Sequence, residues 1–196
     1  MHPEIVSLCL FMFVTSCSPG PNNIVASYSG FNFGILKTIP HMFGVIFGFT
    51  TLVAVMNFGL INVFQKFPIL QESLKYMGSI FLIYLAYKIS FSKNSSGDTK
   101  KNPVKFIETF FFQFINPKSV IVSIIVVSTY VEGGQNFWIY SFWVIGVALF
   151  FAIFSITFWT LIGKFLRKFA TNEKFIKRFN YAMSLLLVSC IATFYL

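Results

Sequence analysis

Apolar positions run almost without interruption through six stretches, roughly 5–26, 42–64, 73–91, 106–130, 137–162 and 179–196, with short polar connections between them. Each stretch approaches the ~20 residues that carry a helix across ~30 Å of hydrocarbon. The alternation of period two over ~10-residue units that marks a membrane barrel is absent. The pattern predicts an all-α membrane protein with six transmembrane helices in a single domain, 1–196. Its most polar run, SKNSSGDTKKNPVK at 92–105, reads as a linker between two halves of three spans each, about 1–91 and about 106–196.

Two of the apolar stretches are interrupted. CSPGPNN (17–23) falls inside the first, and FINPKS (114–119) inside the fourth. Serine and asparagine are favoured helix N-caps and proline is favoured at the first helical position. Ser18-Pro19 and Asn116-Pro117 therefore read as points where a half-helix restarts near mid-depth. Three spans is an odd number, so the second half inserts inverted relative to the first. Interrupted helices at matching places in inverted halves point to a transporter's binding site. The spacing supports the repeat: Pro19 and Pro117 are 98 residues apart, Tyr76 and Tyr181 are 105 apart, and the connection 163–178 is eight residues longer than 65–72. Unbroken kinked helices, relieved by their neighbours, are the competing reading.

The chemistry at such breaks is legible from residue types. Restarted helices present unpaired N–H groups and a positive dipole end, suited to a carboxylate. Proline cannot donate a backbone hydrogen bond, so Pro19, Pro21 and Pro117 free the carbonyls of Thr15, Cys17 and Gln113 to accept from an ammonium group. Asn22, Asn23 and Asn116 donate and accept. Lys118 lies thirteen residues after Lys105 and fourteen before Glu132, which puts a cation near the middle of its span. A charge there costs roughly 2.5–3.5 kcal/mol on insertion scales and normally faces a polar cavity. A small zwitterion, a free amino acid, matches both sets of partners.

Composition agrees with the pattern. The chain is 56% hydrophobic and 11% charged, against about 25% charged in soluble domains, and its mean hydropathy is +0.75. The net charge of +9 is mostly asymmetry: Lys37, residues 88–105 and residues 163–178 hold twelve basic residues on one side, while Lys66 and Lys75 stand alone on the other. The basic-side rule then makes those three connections cytoplasmic and places both termini outside. Charges on short inter-span loops do not suggest nucleic-acid binding. Val14-Thr15-Ser16-Cys17 has the look of a lipoprotein cleavage box, but no Lys or Arg precedes the first span, so a cleaved leader is not expected. Cys9, Cys17 and Cys190 have no paired spacing, and neither a disulfide framework, a metal site nor a cofactor is expected. Nor does the sequence offer the nucleophile with a base, paired carboxylates or metal cluster that an enzyme needs. A passive channel or a structural membrane protein remains the alternative to a transporter.

PGPNN in the first span, QFINPK in the fourth and YMGSIFLIYLAYKI closing the first half resemble the lysine exporter/RhtB (LysE-type translocator) family, along essentially the whole chain. SPGPNNIVAS and FNYAMSLLLVSC look most like its cysteine/O-acetylserine exporter branch. The resemblance implies export of amino acids or derivatives across a bacterial inner membrane by proton exchange. It also implies functional weight on Pro19, Gly20, Pro21, Asn22, Asn116, Pro117 and Lys118. Gly78 and Tyr84 match a small residue and an aromatic usual in the family's third span, whereas Met183 departs from the small residue expected in the sixth.

Three further features stay open at this level. Glu108, the one acidic residue inside a marked span, is either a proton carrier or a headgroup residue. His41 reads as a solvated loop histidine at the cytoplasmic edge of span two, with a pH sensor as the alternative. Gly44 and Gly48 form a GxxxG that permits close helix approach, either within one chain or in a homodimer.

Overall fold

The structure, a computed structural model, describes residues 3–91, 104–170 and 172–195, with the side chains of Gln65 and Gln71 set aside. Most of the linker 92–105 therefore lies outside the described residues. What is described is helical, with no strand. In chain order the helices are α1 (Ile5–Cys17), α2 (Pro21–Val55), α3 (Ile61–Lys66), α4 (Ile69–Ser90), α5 (Phe106–Ile115), α6 (Pro117–Tyr130), α7 (Phe137–Arg167) and α8 (Glu173–Ala192). A π turn at Met56–Leu60 joins α2 to α3.

The connections are much shorter than expected. The stretch 27–41 is helical on both sides of Gly34, whose φ of 78° and ψ of 176° only glycine adopts readily. There the chain doubles back. Ser29 Oγ and Thr38 Oγ1 lie 2.8 Å apart, and His41 Nε2 lies 3.4 Å from the Asn22 carbonyl. In a straight helix those last two residues would be about 28 Å apart. Thus α2 is a hairpin of two arms, 21–33 and 35–55, turning on one residue. Similarly, 65–72 shrinks to Phe67 and Pro68, and 163–178 to 168–172. The basic run 163–178, expected as a headgroup-lying or solvated loop, mostly forms helix ends. Lys164 and Arg167 close α7, where cations suit the negative end of the helix dipole. Asn172 caps α8 by accepting from the Phe175 amide at 2.8 Å.

By length and composition three stretches suffice to cross a membrane: Pro21–Phe64, α7 and α8. The α5–α6 pair, bent by 61°, would make a fourth. The expected count of six is not reproduced on that measure, for identifiable reasons. Helix α1 has only thirteen residues, α4 opens on polar residues including Glu72 and Lys75, and the α2 hairpin is counted as one continuous helix.

Backbone-to-backbone approach organises the packing. On α2, Gly30 is so close to α7 that a Cβ there would sit 2.3 Å from the Thr160 carbonyl oxygen. On α7, a Cβ at Gly163 would sit 2.0 Å from the Ser27 carbonyl oxygen. Ser27 Oγ donates across the same crossing to the Trp159 carbonyl at 2.8 Å. The second arm of α2 meets α5 through Gly44 and Gly48, where a Cβ would approach the Phe106 and Phe110 carbonyls to 2.6 and 2.7 Å. The GxxxG is therefore used inside the chain, and its availability for dimerisation is withdrawn. Three buried apolar clusters fill the remaining space. The first gathers α1, the far end of α2 and the middle of α7. The second gathers α4, α8 and the first arm of α2, and the third joins Val45 and Ile46 to Ala152 and Ile156.

Gly163→Val should lower the thermal midpoint of the detergent-solubilised protein strongly, since overpacking of this kind costs about 1–3 kcal/mol or more. Gly146→Val on the same helix, where a Cβ meets nothing within 4 Å, should leave the midpoint nearly unchanged.

Candidate functional site

Both helix breaks follow from one steric rule: a residue preceding proline is pushed out of the helical region. Ser18 and Gly20 each precede a proline and are extended, with ψ of 137° and 171°. Helix α2 can therefore begin no earlier than Pro21. This corrects the expected start at Ser18-Pro19 by two residues. Ser18 belongs to the end of α1, its amide bonded to the Val14 carbonyl at 3.1 Å, and Gly20 is the residue that precedes the new helix. The second break is where the sequence places it. Asn116 is extended before Pro117, and its Oδ1 accepts from the Lys118 amide at 3.2 Å.

The breaks face each other and bond across. The Lys118 ammonium donates to Ser18 Oγ at 2.6 Å and to the Ser18 carbonyl at 3.1 Å. Asn22 and Gln113 form a reciprocal amide pair: Asn22 Nδ2 donates to Gln113 Oε1 at 2.8 Å, and Gln113 Nε2 donates to Asn22 Oδ1 at 3.1 Å. Gln113 is completed by the Thr109 carbonyl, to which Nε2 also donates, and by Ser119 Oγ, which donates to Oε1. Asn116 Nδ2 extends the chain by donating to Ser119 Oγ at 3.0 Å. Two glycines make this proximity possible. A Cβ at Gly20 would lie 3.0 Å from Lys118 Cδ and Nζ, and a Cβ at Gly78 on α4 would lie 2.6 Å from the Ile115 carbonyl oxygen and 3.0 Å from Pro117 Cδ.

Helix α7 holds the first break from the other side. The Ser16 carbonyl accepts from Asn23 Nδ2 at 3.0 Å, Ser155 Oγ at 3.0 Å and Trp159 Nε1 at 3.3 Å. Asn23 Nδ2 also donates to the Ser18 carbonyl at 3.1 Å. The carbonyl of Thr15 accepts from Ser18 Oγ at 2.8 Å. The polar carbonyls gathered here are thus those of Thr15, Ser16 and Ser18, rather than the Cys17 carbonyl expected from proline spacing.

Between the breaks lies a cavity of about 80 Å³, several times the ~10–15 Å³ that a single water needs. Of the residues singled out from sequence, Thr15, Gly20, Pro21, Asn22, Asn23, Gln113, Asn116 and Lys118 line it. Pro19, Cys17 and Pro117 are not among its lining residues. Tyr84 is half-exposed on α4, and Glu108 pairs with Lys88 at 3.7 Å while accepting from the Lys105 amide at 3.1 Å. Neither lines the cavity. Ser16, Ser119 and Ser155 do, and sequence reasoning passed over them; a lone serine at mid-span of α7 was the available signal for Ser155. Met12, Val45, Phe49, Val122, Phe151 and Ala152 supply an apolar side. Lys118 is the one charged side chain among the described lining residues, and none of them is acidic.

His41, expected as a solvated loop residue, is instead buried at 1% exposure. It lies behind Asn22, with Nδ1 3.0 Å from Thr109 Oγ1. The reason is the tight turn at Gly34, which draws Pro40 and His41 into helix and back against the first arm.

Comparison with known proteins agrees with this architecture. The chain belongs to the LysE type translocator family, whose model matches residues 13–194, and it is accordingly a translocator and not an enzyme. Among similar curated proteins are a cysteine/O-acetylserine efflux protein of Klebsiella pneumoniae subsp. pneumoniae, 29% identical over 97% of this chain and 96% of that one. Proteins of the same description from Salmonella typhimurium and Escherichia coli K12 are 28% and 27% identical, over 97% of both chains in each case. No solved structure matches the chain.

Asn22→Ala and Gln113→Ala should each destabilise the purified protein by roughly 1–3 kcal/mol, because each removes both hydrogen bonds of the reciprocal amide pair. The double variant should lose clearly less than the sum of the two single losses in thermal unfolding, as contacting residues do.

Proposed function

We propose that this chain exports small neutral amino acids or close derivatives, of the cysteine/O-acetylserine kind or the homoserine/threonine/leucine kind, from the bacterial cytoplasm. In this reading it is a multi-pass inner-membrane protein with both termini outside. Six spans form one domain of two inverted halves, about 1–91 and about 106–196, joined by the cytoplasmic linker 92–105. One half rocks against the other around the cavity, and exchange with protons drives the cycle.

The observation that carries the proposal is the direct bonding of two helix breaks around a cavity whose described lining residues include one cation and no acid. In the closed arrangement the polar groups of the two halves satisfy each other. A zwitterion offers substitutes for both sets. Its carboxylate takes the Lys118 ammonium and the remaining first-turn amides, those of Asn22 and Asn23 in α2 and of Ser119 in α6. Its ammonium takes the carbonyls of Thr15, Ser16 and Ser18 as Lys118 leaves Ser18. A short side chain then rests against Val45, Phe49, Val122 and Phe151. A basic side chain would find no counter-charge, so lysine and arginine are poor substrates for this cavity. The relatives' description as cysteine/O-acetylserine efflux proteins fits a short side chain of this kind. The crosswise bonding also favours an alternating carrier over a passive channel, since nothing passes while the two breaks hold each other.

Overexpression should protect cells challenged with toxic levels or analogues of one class of small neutral amino acid, and not against basic ones. Lys118→Ala should remove that protection while the protein still inserts. The loss of a charge-assisted hydrogen bond of about 1.5–3 kcal/mol corresponds to roughly 10- to 100-fold weaker substrate binding. Undiminished efflux by Lys118→Ala would exclude Lys118 from the site.

A further inference from the structure

We propose that His41 is the site at which the exchanged proton binds; the inference rests on the transport reading above and assigns its coupling group. Two features of the surroundings fit a residue that changes protonation in place. The Thr109 hydroxyl stands 3.0 Å from His41 Nδ1 and 3.0 Å from the Lys105 carbonyl. With the imidazole neutral, Thr109 donates to Nδ1 and Nε2–H faces the Asn22 carbonyl at 3.4 Å. With the imidazole protonated, the hydroxyl rotates to donate to Lys105 and accepts from Nδ1–H, while Nε2–H keeps the Asn22 carbonyl. Both states are hydrogen-bonded, and only one hydroxyl proton turns. A lysine could not serve here, having no acceptor state with two opposed partners, and an asparagine would not titrate.

The location supplies the coupling. Asn22 belongs to two cavities, the substrate cavity and a smaller one of about 10 Å³ that His41, Thr109, Phe112 and Val104 also line. That space is about one water molecule in size, and Val104 forms part of its wall. His41 therefore meets the substrate cavity through the backbone of Asn22, and it borders a water-sized space that Asn22 and Val104 also line. In the transport reading the carboxylate of the zwitterion neutralises Lys118, and its ammonium is the like charge that a proton on His41 faces across Asn22. Each disfavours the other, which is the condition for exchange.

Other titratable groups on the surrounding elements are engaged or distant. Glu108 of α5 pairs with Lys88 of α4, so the alternative proton carrier already has a partner and does not reach the cavity. Lys118 of α6 is held by Ser18. Tyr84 of α4 is half-exposed, Tyr28 lies two turns further along the first arm, Lys37 sits near the Gly34 turn, Lys105 offers His41's neighbourhood its carbonyl, and Lys164 and Arg167 lie at the far end of α7.

The test uses the purified full chain in liposomes with labelled cysteine under reducing conditions. Two readings are taken: accumulation driven by an acidic lumen, and exchange of labelled for unlabelled cysteine at equal pH. His41→Gln should lose at least about tenfold of gradient-driven accumulation while exchange stays within about twofold, a split in coupling that a purely structural role would not produce. Thr109→Val, which keeps the imidazole and removes the rotating hydroxyl, should show the same split and decides the matter if His41→Gln does not yield folded protein. Wild-type accumulation by either folded variant, or equal loss of accumulation and exchange, overturns the assignment. Wild-type protein that exchanges cysteine without responding to the gradient would sink proton coupling itself. Wild-type protein that exchanges no amino acid would sink the transport reading first.

Discussion

The bond between the Lys118 ammonium and Ser18 is the constraint around which the rest is arranged. A cation in the middle of an apolar bundle is tolerable only where polar atoms surround it, and here they are the exposed end of α1 and its hydroxyl. The lysine thus ties the break between α5 and α6 to the break between α1 and α2. Everything nearby serves that meeting. Prolines prevent either helix from closing over its own break, Gly20 leaves room for the lysine stem, and Gly78 lets α4 reach the second break.

The helix crossings explain why the site stays open yet closely held. Gly30 and Gly163 bring α2 and α7 to backbone contact, and Gly44 and Gly48 do the same for α2 and α5. In a bilayer, where burying apolar side chains gives little net gain, such close packing and interhelical hydrogen bonds are the main stabilising terms. The α2 hairpin is consequently clamped on both faces, one by α7 and one by α5. Its first turn, carrying Asn22 and Asn23, is held between them. Met183, the large residue in the sixth apolar segment, packs against the cluster that holds Ile24, Val25 and Tyr28.

Much of this was legible in the sequence. Proline after a capping residue marked both breaks, and the asparagines and mid-span lysine marked the polar cavity, because these residue types carry strong local rules. What local rules do not reach was missed. Ser18 looked like an N-cap because serine followed by proline is a strong helix-start signal; the pre-proline constraint on Gly20 decided the boundary instead. The 27–41 connection looked like a loop because a hairpin turning on Gly34 alone leaves no polar run to read. His41 was misplaced for the same reason. Ser155 and Trp159 contribute through a tertiary contact with the Ser16 carbonyl that no periodicity announces. Glu108 and Tyr84 were attractive as rare residue types in an apolar segment, but they face away from the cavity.

The central claim is that a small zwitterion is held where the two breaks now hold each other. The most direct measurement is an experimental structure of the full chain with cysteine or O-acetylserine bound. The account predicts the ligand between the breaks, its carboxylate on Lys118 Nζ in place of Ser18 and its ammonium on the carbonyls at the end of α1. A ligand seated elsewhere, with Lys118 still bonded to Ser18, would contradict it.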